Sequence, residues 1–209
     1  MRLPLAPPRL YVIADAGALA PRSLAEGAEA MAEAGVRWIQ LRAKHASGTD
    51  WFRALEETCR RLEGSPVELW IDDRVDLAAL FPVLGVHLGE RDLPPAAARR
   101  VLGGARRIGR STHDPEQLRA AAGDPEVDLV AVGPVFPTAS KENPDPVVGL
   151  DFVRRARGAT ARPLAAIGGI DATNLPAVLA AGADSAVVLG AACRGDVAAN
   201  CRRLLAAAA

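Results

Sequence analysis

The chain has 209 residues, half of them hydrophobic, and its 25 basic side chains balance 25 acidic ones to a formal charge of zero. A chain of this size and balance can bury a substantial core, and it has neither the polarity of a disordered segment nor the basic excess of a general nucleic-acid binder. No apolar run approaches a membrane span, Met1-Arg2-Leu3-Pro4 lacks a signal-peptide core, and Cys59, Cys193 and Cys201 lack metal-site spacing, so reduced packing cysteines in a cytoplasmic protein are expected.

Short β-like runs alternate with helical segments along the chain. Residues 10–13 form the first strand, followed by a helix from about Ser23, where Ser caps and Glu26 completes a capping-box pattern. A strand over 38–43 precedes a helix over 50–62, and a strand over 67–73 precedes a short helix reaching about Phe81. The strand over 86–89 leads to a helix opening at Pro94-Pro95, where proline suits the first turn. The fifth strand, 107–112, is followed by a helix start at Asp114-Pro115-Glu116. The sixth, 129–136, gives way to a long polar loop and a helix from about Leu150. Strand 164–167 with a helix from Ala172 or Thr173, and strand 186–189 with an Ala-rich helix from Asp196, complete the series. Eight strand–helix pairs leave no room for a second domain, so residues 1–209 are expected to form one α/β domain, a (β/α)8 TIM barrel. An open doubly wound sheet is the competitor, but no glycine-rich dinucleotide fingerprint follows the first strand.

In such a barrel the active site lies at the C-terminal ends of the strands. Those ends carry Asp15, then Gln40, Arg42 and Lys44, then Asp72 and Asp73, then Glu90 and Asp92, then Ser111, Thr112 and His113. The sixth-strand loop adds Thr138, Ser140 and Lys141, and glycines close the seventh and eighth strands at Gly168-Gly169 and Gly190-Ala191. Acids at two neighbouring strand ends suit Mg²⁺, which is held by one or two carboxylates plus substrate phosphates. The period of two along the second strand puts Trp38, Gln40, Arg42 and Lys44 on one face and Ile39, Leu41 and Ala43 on the other. Cations facing the barrel mouth call for an anion, either a ligand or the carboxylates of Asp72 or Asp73. Lys44 and Lys141 are the two lysines among 25 basic residues, which fits a need for a compact ammonium at those places, chance being the alternative. Hydroxyls, amides and an ammonium in the sixth-strand loop can wrap a pyrophosphate, or form an ordinary solvated loop. Glycines at both of the last two loops allow backbone N–H groups to approach a phosphate, or simply permit tight turns. His87, within its strand, reads as a hydrogen-bonded packing residue; His113 could be a base or a cap neighbour, and no Ser-His-acid triad emerges.

Taken together, the segments Gln40-Leu41-Arg42-Ala43-Lys44, Asp73-Arg74-Val75-Asp76, Gly85-Val86-His87-Leu88-Gly89 with Asp92-Leu93-Pro94, Gly109 with Ser111-Thr112-His113, Gly133-Pro134-Val135-Phe136-Pro137-Thr138 with Lys141, and Ala166-Ile167-Gly168-Gly169-Ile170 resemble thiamine phosphate synthase and its TenI-type relatives. The resemblance implies a transferase of thiamine biosynthesis that couples an aminopyrimidine diphosphate to a thiazole phosphate and releases pyrophosphate. It assigns Mg²⁺ to Asp73 and Asp92, and the diphosphate to Arg42, Lys44, Ser111, Thr138, Ser140 and Lys141. Lys141, Ser111 and Arg42 would be the catalytic groups, Gln40 and Asp72 would lie at the pyrimidine, and Gly169, Gly190 and Ala191 would hold the thiazole phosphate. The chain departs from the family's habit at Ala14 (usually Thr), Asp72 (Asn), Glu90 (Gln) and Gly190 (Ser). Those departures keep a TenI-type thiazole tautomerase or a substrate-altered paralogue as the alternative, although Pro134 stands where the tautomerases carry His. A non-catalytic phosphate-ligand binder is a third reading. Partners are expected to be small-molecule substrates, with neither nucleic acid nor membrane; a homo-oligomer stays open.

Overall fold

Eight parallel strands close on themselves, β1-β2-β3-β4-β5-β6-β7-β8, with β1 also pairing β8. The structure is a computed structural model, and it describes residues 4–138, 140 and 145–209. In chain order the elements are β1 (Leu10–Asp15), α1 (Ala16–Leu19), α2 (Leu24–Glu33), β2 (Trp38–Arg42), α3 (Gly48–Arg61), β3 (Glu68–Asp72), α4 (Val75–Leu80), β4 (Gly85–Leu88) and α5 (Pro95–Leu102). They continue with β5 (Arg107–Thr112), α6 (Pro115–Gly123), β6 (Leu129–Val132), α7 (Gly149–Ala159), β7 (Leu164–Ile167), α8 (Leu175–Ala180), β8 (Ser185–Val188), α9 (Gly190–Cys193) and α10 (Val197–Ala208). This is the (β/α)8 barrel that the alternation of elements leads one to expect.

The two faces of each strand are buried differently. Val12, Ile39, Leu41, Ile71, Val86, Val130 and Ala166 belong to the large outer core, packed beneath the helices. Tyr11, Ile13, Trp38, Trp70, Leu129, Ala131, Ala165 and Val187 form a second cluster, the filling of the barrel itself. That filling is lopsided. Tyr11, Trp38 and Trp70 interlock on β1–β3 with ring centroids 5.3–6.0 Å apart, whereas β5–β7 contribute Gly109, Ala131 and Ala165.

Caps fix where the helices begin. Ser23 and Glu26 form the expected capping box on α2, Asp114 accepts from the amides of Glu116 and Gln117, and Asp196 caps α10. At the opposite rim, Arg99 and Arg107 pair with Asp128 at 3.0 and 3.1 Å, so cations there have protein partners. No helix among the described residues is long and apolar enough to cross a membrane.

Several boundaries differ from those expected of the sequence. β6 stops at Val132, because Pro134 has no N–H to extend the ladder. Val135 and Phe136 nonetheless donate to Ile167 O and Gly168 O at 2.9 and 3.0 Å, which ties the sixth loop to the end of β7. α8 begins at Leu175 instead of at residue 172 or 173, because Asp171 Oδ1 accepts from the Thr173 amide at 2.8 Å and holds that stretch as a side-chain turn. The four-residue helices α1 and α9 were not expected; one turn is too short to show a hydrophobic period.

Candidate active site

Ligands of (β/α)8 barrels bind at the C-terminal strand ends, and a chain of alternating charges lies there. Arg42, at the end of β2, donates to Asp15 Oδ2 at the end of β1, and its Nε lies 3.5 Å from Asp72 Oδ2 at the end of β3. Lys44 Nζ is 3.1 Å from Asp72 Oδ2 and also donates to Asp73. The Asp92 carboxyl lies within hydrogen-bonding reach of Asp73, and its Oδ2 accepts the Gly89 N–H at 2.6 Å. Four strand ends therefore converge on one run: Asp15, Arg42, Asp72, Lys44, Asp73, Asp92. The internal pairing that was the alternative to a bound anion is present, Arg42 reaching Asp72 and Lys44 reaching Asp72 and Asp73.

Asp73 is the one non-glycine residue with positive φ, at 59°, among the described residues. Aspartate tolerates this left-handed conformation better than most residues. Its amide donates to His87 O at 3.0 Å, so the chain turns sharply after β3 and brings the carboxylate beside both Lys44 and Asp92.

Burial and like charge shape the acids here. Burial first, then the Asp73 charge, pushes the Asp72 carboxyl up to about 6. Burial, then contact with Asp73, raises Asp92 as well. Burial alone would lower the Lys44 ammonium, but Asp72 and Asp73 outweigh it and the net direction is up, so Lys44 stays charged. The sign for stability follows. Between the ordinary carboxylate value of 3.8 and about 6 the folded chain binds a proton at Asp72 more tightly than the unfolded chain does. Ionised Asp72 therefore subtracts from stability, and the loss develops as pH rises through that window. Asp72→Asn is expected to raise unfolding free energy at pH 7 by about 1–3 kcal/mol, with the gain fading toward pH 4, as read from urea midpoints at both pH values.

The other expected residues fall into two groups. Gln40 is buried, and its amide donates to Tyr11 Oη at 2.8 Å, placing both in the floor of the mouth above Trp38 and Trp70. Ser111, near the end of β5, has its Oγ 2.9 Å from His87 Nε2. Burial pushes His87 down to about 4, so its ring is neutral. On the far side of the mouth the last three loops come together. Thr138 Oγ1 accepts the Ser140 amide at 3.2 Å, and a Cβ added to Gly190 would lie 3.3 Å from Ser140 Oγ. Gly169, at φ 62°, lies so close to Pro137 O and Phe136 that no side chain fits. Gly190 and Ala191 open α9 beside it. Lys141 lies outside the described residues. Glu90 is exposed. His113 bonds the Gly133 carbonyl through Nδ1 at 2.6 Å, which ties β5 to the sixth loop.

Sequence reading gave Asp15 a place on this rim but no role. It anchors Arg42 and also caps α1 through the Ala18 amide at 2.9 Å. The Ser111–His87 contact was missed too. The signal was available, since His87 and Ser111 both point inward from adjacent strands, but their register was not.

No group of three or more His, Cys, Asp or Glu side chains among the described residues could hold a metal. A facing pair of hard carboxylates is nevertheless what a Mg²⁺ shared with substrate phosphates requires, and burial first, then the neighbouring Asp73 carboxyl, disfavours the charged form of Asp92 that a divalent cation would favour. The donor set fits.

A closed parallel barrel with cations, carboxylates and glycine loops gathered at one rim belongs to the barrel enzymes that act on charged small molecules. The profile of the family described as "Thiamine monophosphate synthase" matches residues 10–192, and the chain belongs to that family. It is 44% identical over 186 residues to "Thiamine-phosphate synthase" of Koribacter versatilis (strain Ellin345), covering 87% of each chain. It is 40% identical over 198 residues to the protein of the same name from Synechococcus sp. (strain WH7803), with 94% of this chain covered but 56% of that longer protein. The solved structure "Thiamine phosphate pyrophosphorylase from Pyrococcus furiosus" superposes with a TM-score of 0.85 at 29% identity, over 96% of this chain and 95% of that one.

Proposed function

We propose that the chain is a transferase joining hydroxymethylpyrimidine diphosphate to thiazole phosphate with release of pyrophosphate, the reaction of its family. The observation that carries this reading is the convergence of Arg42 and Lys44 with the facing carboxylates of Asp73 and Asp92, opposite the Gly169 and Gly190 loops. The reacting carbon is benzylic in type. Its bond to the diphosphate oxygen breaks with both electrons leaving on oxygen, the electron-rich pyrimidine carries the resulting cation, and the thiazole nitrogen donates its lone pair to form the new C–N bond. Such a step needs stabilised leaving charge and close positioning, and no dedicated nucleophile or base.

Each residue has a place in that step. Asp73 and Asp92 would hold Mg²⁺, which neutralises charge on the diphosphate when bound. Arg42, Lys44, Ser111, Thr138, Ser140 and Lys141 hold the leaving diphosphate. Without substrate the carboxylates of Asp15, Asp72 and Asp73 serve as stand-in counter-ions for Arg42 and Lys44. Gln40 and Asp72 meet the pyrimidine above the aromatic floor. The amides around Gly169, Gly190 and Ala191 receive the thiazole phosphate, whose approach a side chain at Gly169 would block. We read residues 1–209 as one domain acting on small molecules in the cytoplasm, a setting that suits its three free cysteines.

The test is pyrophosphate release from the two precursors in the presence of Mg²⁺. Stoichiometric pyrophosphate and coupled product are expected, both abolished by a chelator. Conversion of the thiazole alone would indicate a tautomerase, and binding without conversion a non-catalytic binder; either outcome overturns the proposal.

A further inference from the structure

His87 is buried, lies within β4, and is not among the residues assigned to the diphosphate. Its Nε2 is 2.9 Å from Ser111 Oγ, while its Nδ1 is buried with no hydrogen-bond partner. The neutral ring carries one proton, and the hydroxyl can serve it as donor or acceptor. Which nitrogen is protonated therefore decides what Ser111 offers to a ligand. If Nδ1 were protonated, Nε2 would accept the Ser111 hydrogen, and the hydroxyl would turn only lone pairs toward an anion. If Nε2 is protonated, it donates to Oγ and leaves the Ser111 O–H free to donate.

Gly109, on the neighbouring strand, settles the choice. A Cβ at Gly109 would overlap His87 Nδ1, so the glycine's own Cα–H on that side is directed at this nitrogen. A bare nitrogen lone pair can accept such a weak contact, whereas an N–H there would drive its hydrogen into the glycine. We infer that Gly109 locks His87 as the Nε2–H tautomer and that His87 thereby acts as a positioning residue, holding the Ser111 hydroxyl as a donor toward the leaving diphosphate. The functional half of this inference rests on the proposed diphosphate site; the tautomer half stands without it.

The experiment has two arms. Long-range ¹H–¹⁵N spectra of the histidine-labelled protein report the tautomer directly, with no substrate present. A proton on Nε2 and a bare Nδ1 are expected for His87; a proton on Nδ1 overturns the inference whatever the activity. The second arm is a double-mutant cycle on kcat/KM for pyrophosphate release. His87→Leu is expected to lower kcat/KM about as far as Ser111→Ala does, by about tenfold or more, and His87→Leu/Ser111→Ala no further. His87→Gln, whose amide can donate from nearly the same place, is expected to recover most of the loss. Additive losses, or no recovery with Gln at matched thermal stability, would assign His87 a packing role alone. Absence of any pyrophosphate release would overturn the proposed function while leaving the spectra to decide the tautomer.

Discussion

Asp92→Ala is expected to reduce turnover in the pyrophosphate-release assay by about 10²–10³-fold, while its unfolding free energy from urea titration changes by less than about 1 kcal/mol. The two effects separate because of what Asp92 does in the free protein. Its one firm bond is to the Gly89 amide at 2.6 Å, and it sits against the Asp73 carboxylate, which repels it. Removing it loses the bond and relieves the repulsion, so the fold changes little. The loss of function comes from leaving Mg²⁺ with one carboxylate where two are available. Raising Mg²⁺ should partly restore the variant, whereas a catalytic acid or base could not be rescued in that way. Equal turnover in the variant and the parent would remove Asp92 from the site.

Arg42→Ala is expected to lower both turnover and stability, by about 10²-fold and about 2–4 kcal/mol respectively. Arg42 separates two part-buried carboxylates, Asp15 and Asp72, and deleting the guanidinium strands Asp15 and leaves Asp72 with Lys44 as its one cation. Arg42→Lys divides the two effects. A lysine supplies one compact charge, sufficient to neutralise one of the acids, but it cannot span both and still present a planar fork to phosphate. Most of the stability is therefore expected to return with Arg42→Lys and most of the turnover loss to remain. Full recovery of turnover would mean that Arg42 contributes charge alone.

Much of the barrel was legible in the sequence, for a definite physical reason. The first four strands end where an apolar run meets polar residues and the last three where it meets glycine or proline, and alternation along residues 38–44 assigns Gln40 and Arg42 to the interior before any coordinates are known. Gly168 and Gly169 were legible as tight-turn glycines, and both have positive φ with the backbone of the sixth loop packed against them. Pairings across strands were harder to read. Asp15 and Arg42 lie 27 residues apart and His87 and Ser111 lie 24 apart, so each contact depends on the stagger of a closed sheet that local periodicity does not encode. The turn of Asp73 into left-handed space was also hidden, because neither the apolar run nor the carboxylate pattern specifies φ. Boundaries near Pro134 and Asp171 moved where a missing N–H or a side-chain turn took over from the ladder or the helix.

Crystals soaked with Mg²⁺ and inorganic pyrophosphate provide the most direct measurement of whether this mouth draws a diphosphate off carbon. The expected density has a cation bridging Asp73 and Asp92 and a pyrophosphate reached by Arg42, Lys44 and Ser111, with Lys44 released from Asp73. Pyrophosphate bound elsewhere on the barrel, or a cation that ignores both carboxylates, would contradict it.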